Sequence, residues 1–515
     1  MTEEHNLLVV SDLHLSAGLD PDTGTTSRLE DFCRDDAFQR FLRYHEEIKE
    51  QPRFGDRPWL LVLNGDIFDF LQVICLPQDG RLLKVIKDAE GGLTAHERMY
   101  GLGTTALESE WKLKQIARGH QSFFAALGWF VGRGNSIAVV RGNHDVELYW
   151  EEVRERFVVE TRRAHVHQWL REGGEPPPPA ETYRARIQFY PWFYYEPGRI
   201  YVEHGCQYDA LNHFEDFLCP VLSHEPQRIA LPWGSLFVRY LFNRVEDVHP
   251  FADNVKPLTR YLSWAFRQNP VRALAVLVGR GWTFLRAVWL LGQKARAAAI
   301  SIEDEQTQTE GNTPTDLPPE IEEAIRMLAR RQVDSAWQAW VGSLMHTVVS
   351  LLSLLIVGTF AILALVTLAF DTGPRWLAAP YAAAAVVAAL LRYALKEGFS
   401  YLLERDDLLQ AASELDQILA REHPVPIIAM GHNHRPSLER LDGTWYVNTG
   451  AWVRLYHRHG PIGGREALTF LRVAEVSEEA PALLRWYDTA GAPARMTLRR
   501  DLRTSRRGGG PSSQE

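Results

Sequence analysis

Five short polar clusters hold the residue types that could do chemistry: Asp12-Leu13-His14, Gly65-Asp66, Gly142-Asn143-His144-Asp145, His204-Gly205 and Gly431-His432-Asn433-His434. Aspartate, histidine and asparagine supply carboxylate, imidazole and amide-oxygen donors, a mixture that suits Mn²⁺, Fe or Zn²⁺ better than the all-oxygen shell of Ca²⁺. Two such cations, about 3.5–4 Å apart, need a carboxylate between them. Asp66 is the natural bridge, because Gly65 lets the backbone turn tightly before it. Two divalent cations opposed by two carboxylates leave a net positive site, which attracts a phosphate oxyanion and lowers the pKa of a bridging water toward neutrality. The expected reaction is in-line attack of that hydroxide on phosphorus. His144, a side chain that titrates near neutral pH, would assist the leaving oxygen.

The clusters need elements to bring them together, and each follows an apolar run, at residues 6–10, 59–63, 137–140, 200–202 and 426–429. These runs are too short and too uniformly apolar for amphipathic surface helices, so they read as buried strands. Strands side by side in one sheet would bring the residues past their carboxyl ends to a common edge.

Taken in order, DLH, NGDIFD, GNHD, EHG and GHNH resemble the five motifs of the calcineurin-like metallophosphoesterases. The resemblance implies an α/β fold, the metallophosphatase four-layer α/β/β/α sandwich. It implies one ion held by Asp12, His14, Asp66 and His434, and a second held by Asp66, Asn143, His204 and His432. His144 and Asp145 become the expected catalytic residues, His144 facing the substrate while Asp145 and Asp69 orient their neighbours. The cofactors implied are two divalent metal ions, manganese first, with iron or zinc as alternatives. The stretch from Tyr446 to Trp452 is similar to the strand and turn that follow the last motif. Other chemistries lack their signatures: there is no HExxH helix, GxxxxGK loop, intact GxGxxG or GxSxG elbow. His96, His165, His167, His213, His249 and His457 have no ligand-like spacing and are expected in surface or hydrogen-bonded roles.

At 515 residues, with 46% hydrophobic and 23% charged residues, the chain is folded and has more than one structural unit. Cys33, Cys75, Cys206 and Cys219 form no CxxC pair, which suits a reducing compartment. The acidic start Met1-Thr2-Glu3-Glu4 leads at once into the first strand, so no cleaved secretory signal is expected and the catalytic unit is placed in the cytoplasm. Between His204 and His432 lie 227 residues, so a large insertion must leave the catalytic domain after the fourth cluster and return before the fifth.

That insertion has membrane character. Residues 341–370 are almost continuously apolar and carry no formal charge, and after a short turn residues 376–391 are again apolar and alanine-rich. A bilayer takes about 20 helical residues to cross, so a transmembrane hairpin is expected at about 341–370 and 376–395, the alternative being a buried helical pair. Arg326, Arg330 and Arg331 precede it and Arg392, Lys396 and Arg405 follow it, which puts both ends in the cytoplasm. Residues 254–302 hold eight Lys or Arg and no acidic residue, interleaved with Trp264, Phe266, Trp282, Phe284 and Trp289. They read as basic amphipathic helices on an anionic lipid surface, the alternative being a solvated face over core-packed helices. The formal net charge of −9 argues against nucleic acid as a partner.

The expected organisation is therefore catalytic domain, first part, at 1–222; basic amphipathic insertion at 223–300; flexible linker at 301–320; helical lead-in and hairpin at 321–400; catalytic domain, second part, at 401–500; and disordered tail at 501–515. A surface loop is expected at 173–179 and a helical span beside the cleft at 95–130. Apolar surface around the hairpin offers an interface for a homodimer. The function expected is a membrane-anchored, multi-pass, cytoplasm-facing hydrolase of phosphate ester or pyrophosphate bonds. GDIFD and the helical insertion are similar in part to UDP-2,3-diacylglucosamine pyrophosphohydrolases, which are much shorter, usually carry Arg where this chain has His144 and lack such a hairpin; the partial resemblance implies a lipid-linked or amphiphilic phosphate substrate but not that specific activity. The alternatives are a phosphatase or phosphodiesterase acting on soluble nucleotides or phosphoproteins, and a non-catalytic membrane scaffold or phosphate sensor.

Overall fold

Two stacked β-sheets organise the computed structural model, which describes residues 5–87, 92–209, 211–223, 225–239, 317–331, 357–368, 379–387, 407–455, 465–466, 468–474, 481–488 and 491–496. The larger sheet runs β16 (Ala492–Arg495), β15 (Ala482–Tyr487), β14 (Thr469–Val473), β1 (Asn6–Val10), β2 (Trp59–Asn64), β3 (Ser136–Val140), β4 (Ile187–Tyr190). The smaller runs β10 (Ser437–Arg440), β11 (Trp445–Asn448), β9 (Ile427–Met430), β6 (Ile200–Glu203), β5 (Phe193–Glu196). Two short pairs, β7 (Val221–Leu222) with β8 (Glu225–Ile229) and β12 (Arg454–Leu455) with β13 (Arg465–Glu466), stand apart from both.

Alternation of side chains along each strand builds the layers. In β1, Leu8 and Val10 face helices while Leu7 and Val9 face the second sheet; β2 divides likewise, with Leu61 and Leu63 outward and Leu60 and Val62 inward. From the smaller sheet, Ile200, Val202, Ile427, Ala429 and Val447 meet them, and at the end nearer the clusters Asn64 of β2 donates its amide N–H to Glu203 O of β6 at 2.9 Å. Helices Asp35–Ile48, Ala106–Gly119, Gln121–Gly132 and Glu151–Glu172 cover the outer face of the larger sheet through Phe38, Phe41, Leu113, Ile116, Phe123, Phe124 and Phe157. Over the smaller sheet, helix Asp407–Leu419 packs Leu408, Ala411 and Leu415 beside Ile325 and Leu328 of a helix at 319–331. The result is the α/β/β/α order.

The five cluster-bearing strands do not share a sheet: β1, β2 and β3 lie in the larger and β6 and β9 in the smaller. A strand buried on both faces has no polar side, so its apolar run says nothing about which layer it joins. The helical span at 95–130 also divides, into Ala95–Tyr100, Ala106–Gly119 and Gln121–Gly132. Thr94 with Glu97 and Thr105 with Glu108 form capping boxes that start the first two, and Gly101, at φ +78°, ends the first. Residues 173–179 form the expected loop.

Much of the insertion, including the basic stretch 254–302, lies outside the described residues, as do 301–316 of the linker and the tail. Of the apolar hairpin, 357–368 and 379–387 are described and both are helical. The rings of Phe360 and Tyr381 lie 6.2 Å apart, so the two helices are neighbours. Ile362, Leu365, Leu368, Val386 and Val387 are exposed on them. No helix among the described residues is long and apolar enough to cross a membrane; residues 341–356, 369–378 and 388–395 of the expected hairpin fall outside them.

The loop after β1 is locked by a buried ion pair. Glu30 accepts the backbone N–H of Ser16 and Gly18, and His120 sets Nε2 3.1 Å from Glu30 and Nδ1 3.1 Å from Asp35. Burial alone would lower the His120 pKa, but Glu30 and then Asp35 reverse this and raise it from 6.5 to about 10. The folded state thus keeps a proton that the unfolded state releases, so this stabilisation is complete below pH 6.5 and is lost as pH rises toward 10. Glu30→Gln should destabilise the protein at pH 7 by about 3–5 kcal/mol. Urea unfolding from pH 7 to 10 should then show a shallower pH slope than wild type.

Candidate metal centre

The loops leaving β1, β2 and β3 meet those leaving β6 and β9, and backbone bonds tie them together. Asp12 N–H donates to Gly65 O (3.1 Å), His14 N–H to Asp66 O (2.9 Å) and Gly431 N–H to His204 O (3.0 Å). His432 N–H reaches Asp12 Oδ2 across the sheets at 3.0 Å. Donor atoms of Asp12, His14 and His434 come within 4.8 Å of one another; so do those of Asp66, His204 and His432, and those of His14, Asp66 and His144.

Asp66 joins these groups. Its Oδ2 lies 3.0 Å from His204 Nε2 and 4.0 Å from His14 Nε2, while Oδ1 accepts the His144 N–H at 2.8 Å. On the other side, His434 Nε2 sits 3.1 Å from Asp12 Oδ1 and 3.1 Å from His14 Nε2. Neighbouring groups set the rings. His204 Nδ1 meets the Asn64 carbonyl at 3.1 Å, which holds one ring proton there and turns Nε2 toward Asp66, where it would offer its lone pair to a bound ion. Asp69 Oδ2 takes His144 Nδ1 at 2.7 Å and His14 Nδ1 at 3.5 Å, and its Oδ1 is held by the N–H groups of Leu71 and Gln72.

This donor set fits divalent metal ions. Imidazole and carboxylate acceptors converge at close range, and Asn143 Oδ1 is buried with no hydrogen-bond donor. Burial opposes ionisation of Asp66, yet His204 and His144 outweigh it and hold the carboxyl well below its usual range. Asp12 is lowered in the same way, burial being overcome by His434. Burial would depress His204, but Asp66 raises it to about 9.

Asp145 does not face the open cleft. Its two oxygens accept Gly142 N–H (2.6 Å) and Ile67 N–H (2.8 Å), clasping the loops after β2 and β3 to one another. Burial, reinforced by Asp66, lifts its pKa to about 6. His144 is the more open of the pair, its side chain 14% exposed.

Close packing explains two of the glycines. A Cβ on Gly65, which sits at φ +70°, would fall 2.5 Å from His204 Cγ, and one on Gly142 would run into Asp66 Oδ1. The backbone is strained where ligands are presented. Asp12, His14, Asp66, His432 and His434 all have φ between +51° and +67°, five of the seven non-glycine residues with positive φ among the described residues. Each such residue costs about 1–3 kcal/mol and persists only where its surroundings enforce it.

All nine residues expected from the clusters therefore lie in one place. Sequence reasoning missed Asp209, whose Oδ2 is 2.9 Å from His432 Nε2, and Asn212, whose Oδ1 accepts the Asn143 amide at 3.4 Å. The only signal was proximity to the strand-end His204, because Cys206-Gln207-Tyr208-Asp209 has no ligand spacing. His165 and His213 lie outside the cluster, bonded to Tyr183 Oη (2.7 Å) and Gln207 O (3.0 Å). Cys206 is a buried thiol that burial raises well above its ordinary pKa.

No curated protein is similar enough to the chain to count as a match. The calcineurin-like phosphoesterase family profile matches residues 5–280, a span that takes in the first four clusters and stops short of the fifth, which β9 returns to the site. With the matched span, the layered sheets and the assembled Asp, His and Asn donors in agreement, the chain belongs to the calcineurin-like phosphoesterases, whose chemistry is metal-dependent hydrolysis of phosphoesters.

Proposed function

We propose that this protein is a two-ion phosphoester hydrolase anchored at the cytoplasmic membrane, with its site toward the cytoplasm and a lipid-linked phosphate or pyrophosphate as substrate. The observation that carries the two-ion reading is the position of Asp66 between His204 Nε2 at 3.0 Å and His14 Nε2 at 4.0 Å. Asp12, His14, Asp66 and His434 would hold one ion, and Asp66, Asn143, His204 and His432 the other. When bound, two divalent ions, manganese before iron or zinc, would supply Lewis acidity and acidify a water. Asp69 fixes the His144 proton on Nδ1, which directs Nε2 to the leaving oxygen; a protonated His144 donates to it there. Asp145 keeps the two loops in register.

Membrane attachment is supported by the apolar run 341–370, by exposed Ile362, Leu365, Leu368, Val386 and Val387 on the paired helices, and by the arginines flanking the hairpin. The acid-free basic stretch 254–302 supports an anionic lipid surface as partner.

Full-length protein loaded with Mn²⁺ should hydrolyse a phosphate monoester, a diester or a lipid pyrophosphate, and chelation should abolish turnover. Substrate presented in anionic vesicles should be preferred, with the preference weakening as salt rises. Equal turnover of soluble and vesicle-borne substrate would replace the lipid reading with one of soluble nucleotides or phosphoproteins. Phosphate binding without turnover across the panel would favour a sensor.

A further inference from the structure

Beside the cluster lies a short loop that contributes no ligand and yet touches two of them. Asp209 Oδ2 is 2.9 Å from His432 Nε2 and also accepts the Asn212 amide at 2.8 Å. Asn212 in turn presents Oδ1 to the Asn143 Nδ2 group at 3.4 Å. His432 and Asn143 come from different sheets, on the loops after β9 and β3. From these contacts we infer that Asp209 and Asn212 form a relay that aims both ligands of one ion, so that occupancy of that ion alone depends on this loop. The inference rests on the two-ion reading proposed above.

The chemistry at each end is specific. By accepting from His432 Nε2–H, Asp209 places the lone pair of the ring on Nδ1, which is its buried nitrogen. By accepting from the Asn143 amide N–H, Asn212 settles which way that amide faces and presents Oδ1, the buried oxygen without a donor. Asp209 is not itself placed as a base. Its Oδ1 takes the Leu211 N–H at 3.0 Å and its Oδ2 takes two donors, so both oxygens serve as acceptors within the protein. The loop is pinned from behind as well: Gly234 N–H donates to Leu211 O at 2.6 Å, and a Cβ on Gly234 would collide with Asn212 Oδ1. Asp209 and Asn212 are therefore positioning residues.

The test is stepwise uptake of Mn²⁺ alone by the full chain in metal-buffered solution, read by calorimetry and by metal content. Wild type should take up two ions. Asp209→Ala and Asn212→Ala should each weaken one step by about 10–100-fold, the range for lost partners of metal ligands, and leave the other step unchanged. Asp209→Asn, which keeps an acceptor for His432 but not the charge, should recover part of the loss. Wild type that takes up fewer than two ions overturns the two-ion reading and the relay with it. Wild type with two ions, and alanine variants that bind both as tightly, overturns the relay alone. Alanine variants that weaken both steps together, with a lowered melting temperature and no recovery in Asp209→Asn, also overturn it, since that is general loss of structure.

Discussion

Asp66→Asn should reduce metal-dependent hydrolysis by about a thousandfold or more while the protein remains folded. Charge stabilisation by a metal centre contributes several kcal/mol to the transition state, and each 1.36 kcal/mol is tenfold in rate. Asparagine is close to isosteric, so its Oδ1 can still accept the His144 N–H that Asp66 now takes at 2.8 Å. What disappears is the negative charge opposite His204 Nε2 and His14 Nε2, 3.0 and 4.0 Å from Oδ2. The decisive comparison is turnover at saturating Mn²⁺ beside the near-ultraviolet circular dichroism of the same preparation. Full turnover with unaltered dichroism would sink the assignment of Asp66 as the shared ligand.

Gly142→Ala should have the second-largest effect, by a different route. Gly142 is not at positive φ, so alanine meets no backbone penalty, and the whole effect comes from contact. The new methyl would press on Asp66, its Cβ 2.5 Å from the Asp66 backbone nitrogen and 3.1 Å from Cγ. Overpacking of this kind costs about 1–3 kcal/mol of stability. Displacing a catalytic group by about 1 Å costs about a hundredfold in rate. Denaturant unfolding and turnover should therefore both fall, with the loss in rate far exceeding what the unfolded fraction explains. A variant with wild-type rate and stability would mean that the loops after β2 and β3 can separate freely, against the clasp made by Asp145.

The centre was legible because each contributor is local: a strand end, a glycine or histidine, and one or two ligands within four residues. The strands were legible for the same reason, since runs such as residues 6–10 and 59–63 become β1 and β2 almost unaltered. Their division between two sheets was not. Leu7 and Leu8 are both apolar although one faces the other sheet and one faces helices, and a doubly buried strand has no alternation to read. The breaks within 95–130 were available, because Thr94-x-x-Glu97 and Thr105-x-x-Glu108 are capping-box spacings with Gly101 between them. Asp209 was invisible for a physical reason. Its role depends on a contact with His432 that only the pairing of β6 with β9 creates, 223 positions away in the chain.

That pairing also orders events at the ribosome. β1 is flanked by β2 and β14, and β6 by β5 and β9, so while the first catalytic segment emerges each has one neighbour and one bare edge. At about 5–20 residues per second, the 227 residues between His204 and His432 take on the order of 10–45 s to synthesise. Throughout that interval Leu7, Leu8 and Val9 form part of an unpaired apolar edge, the kind of surface that recruits other strands. In the finished fold β14 covers that edge of β1 and β9 that of β6, so slower translation of the insertion would lengthen the time both stay bare.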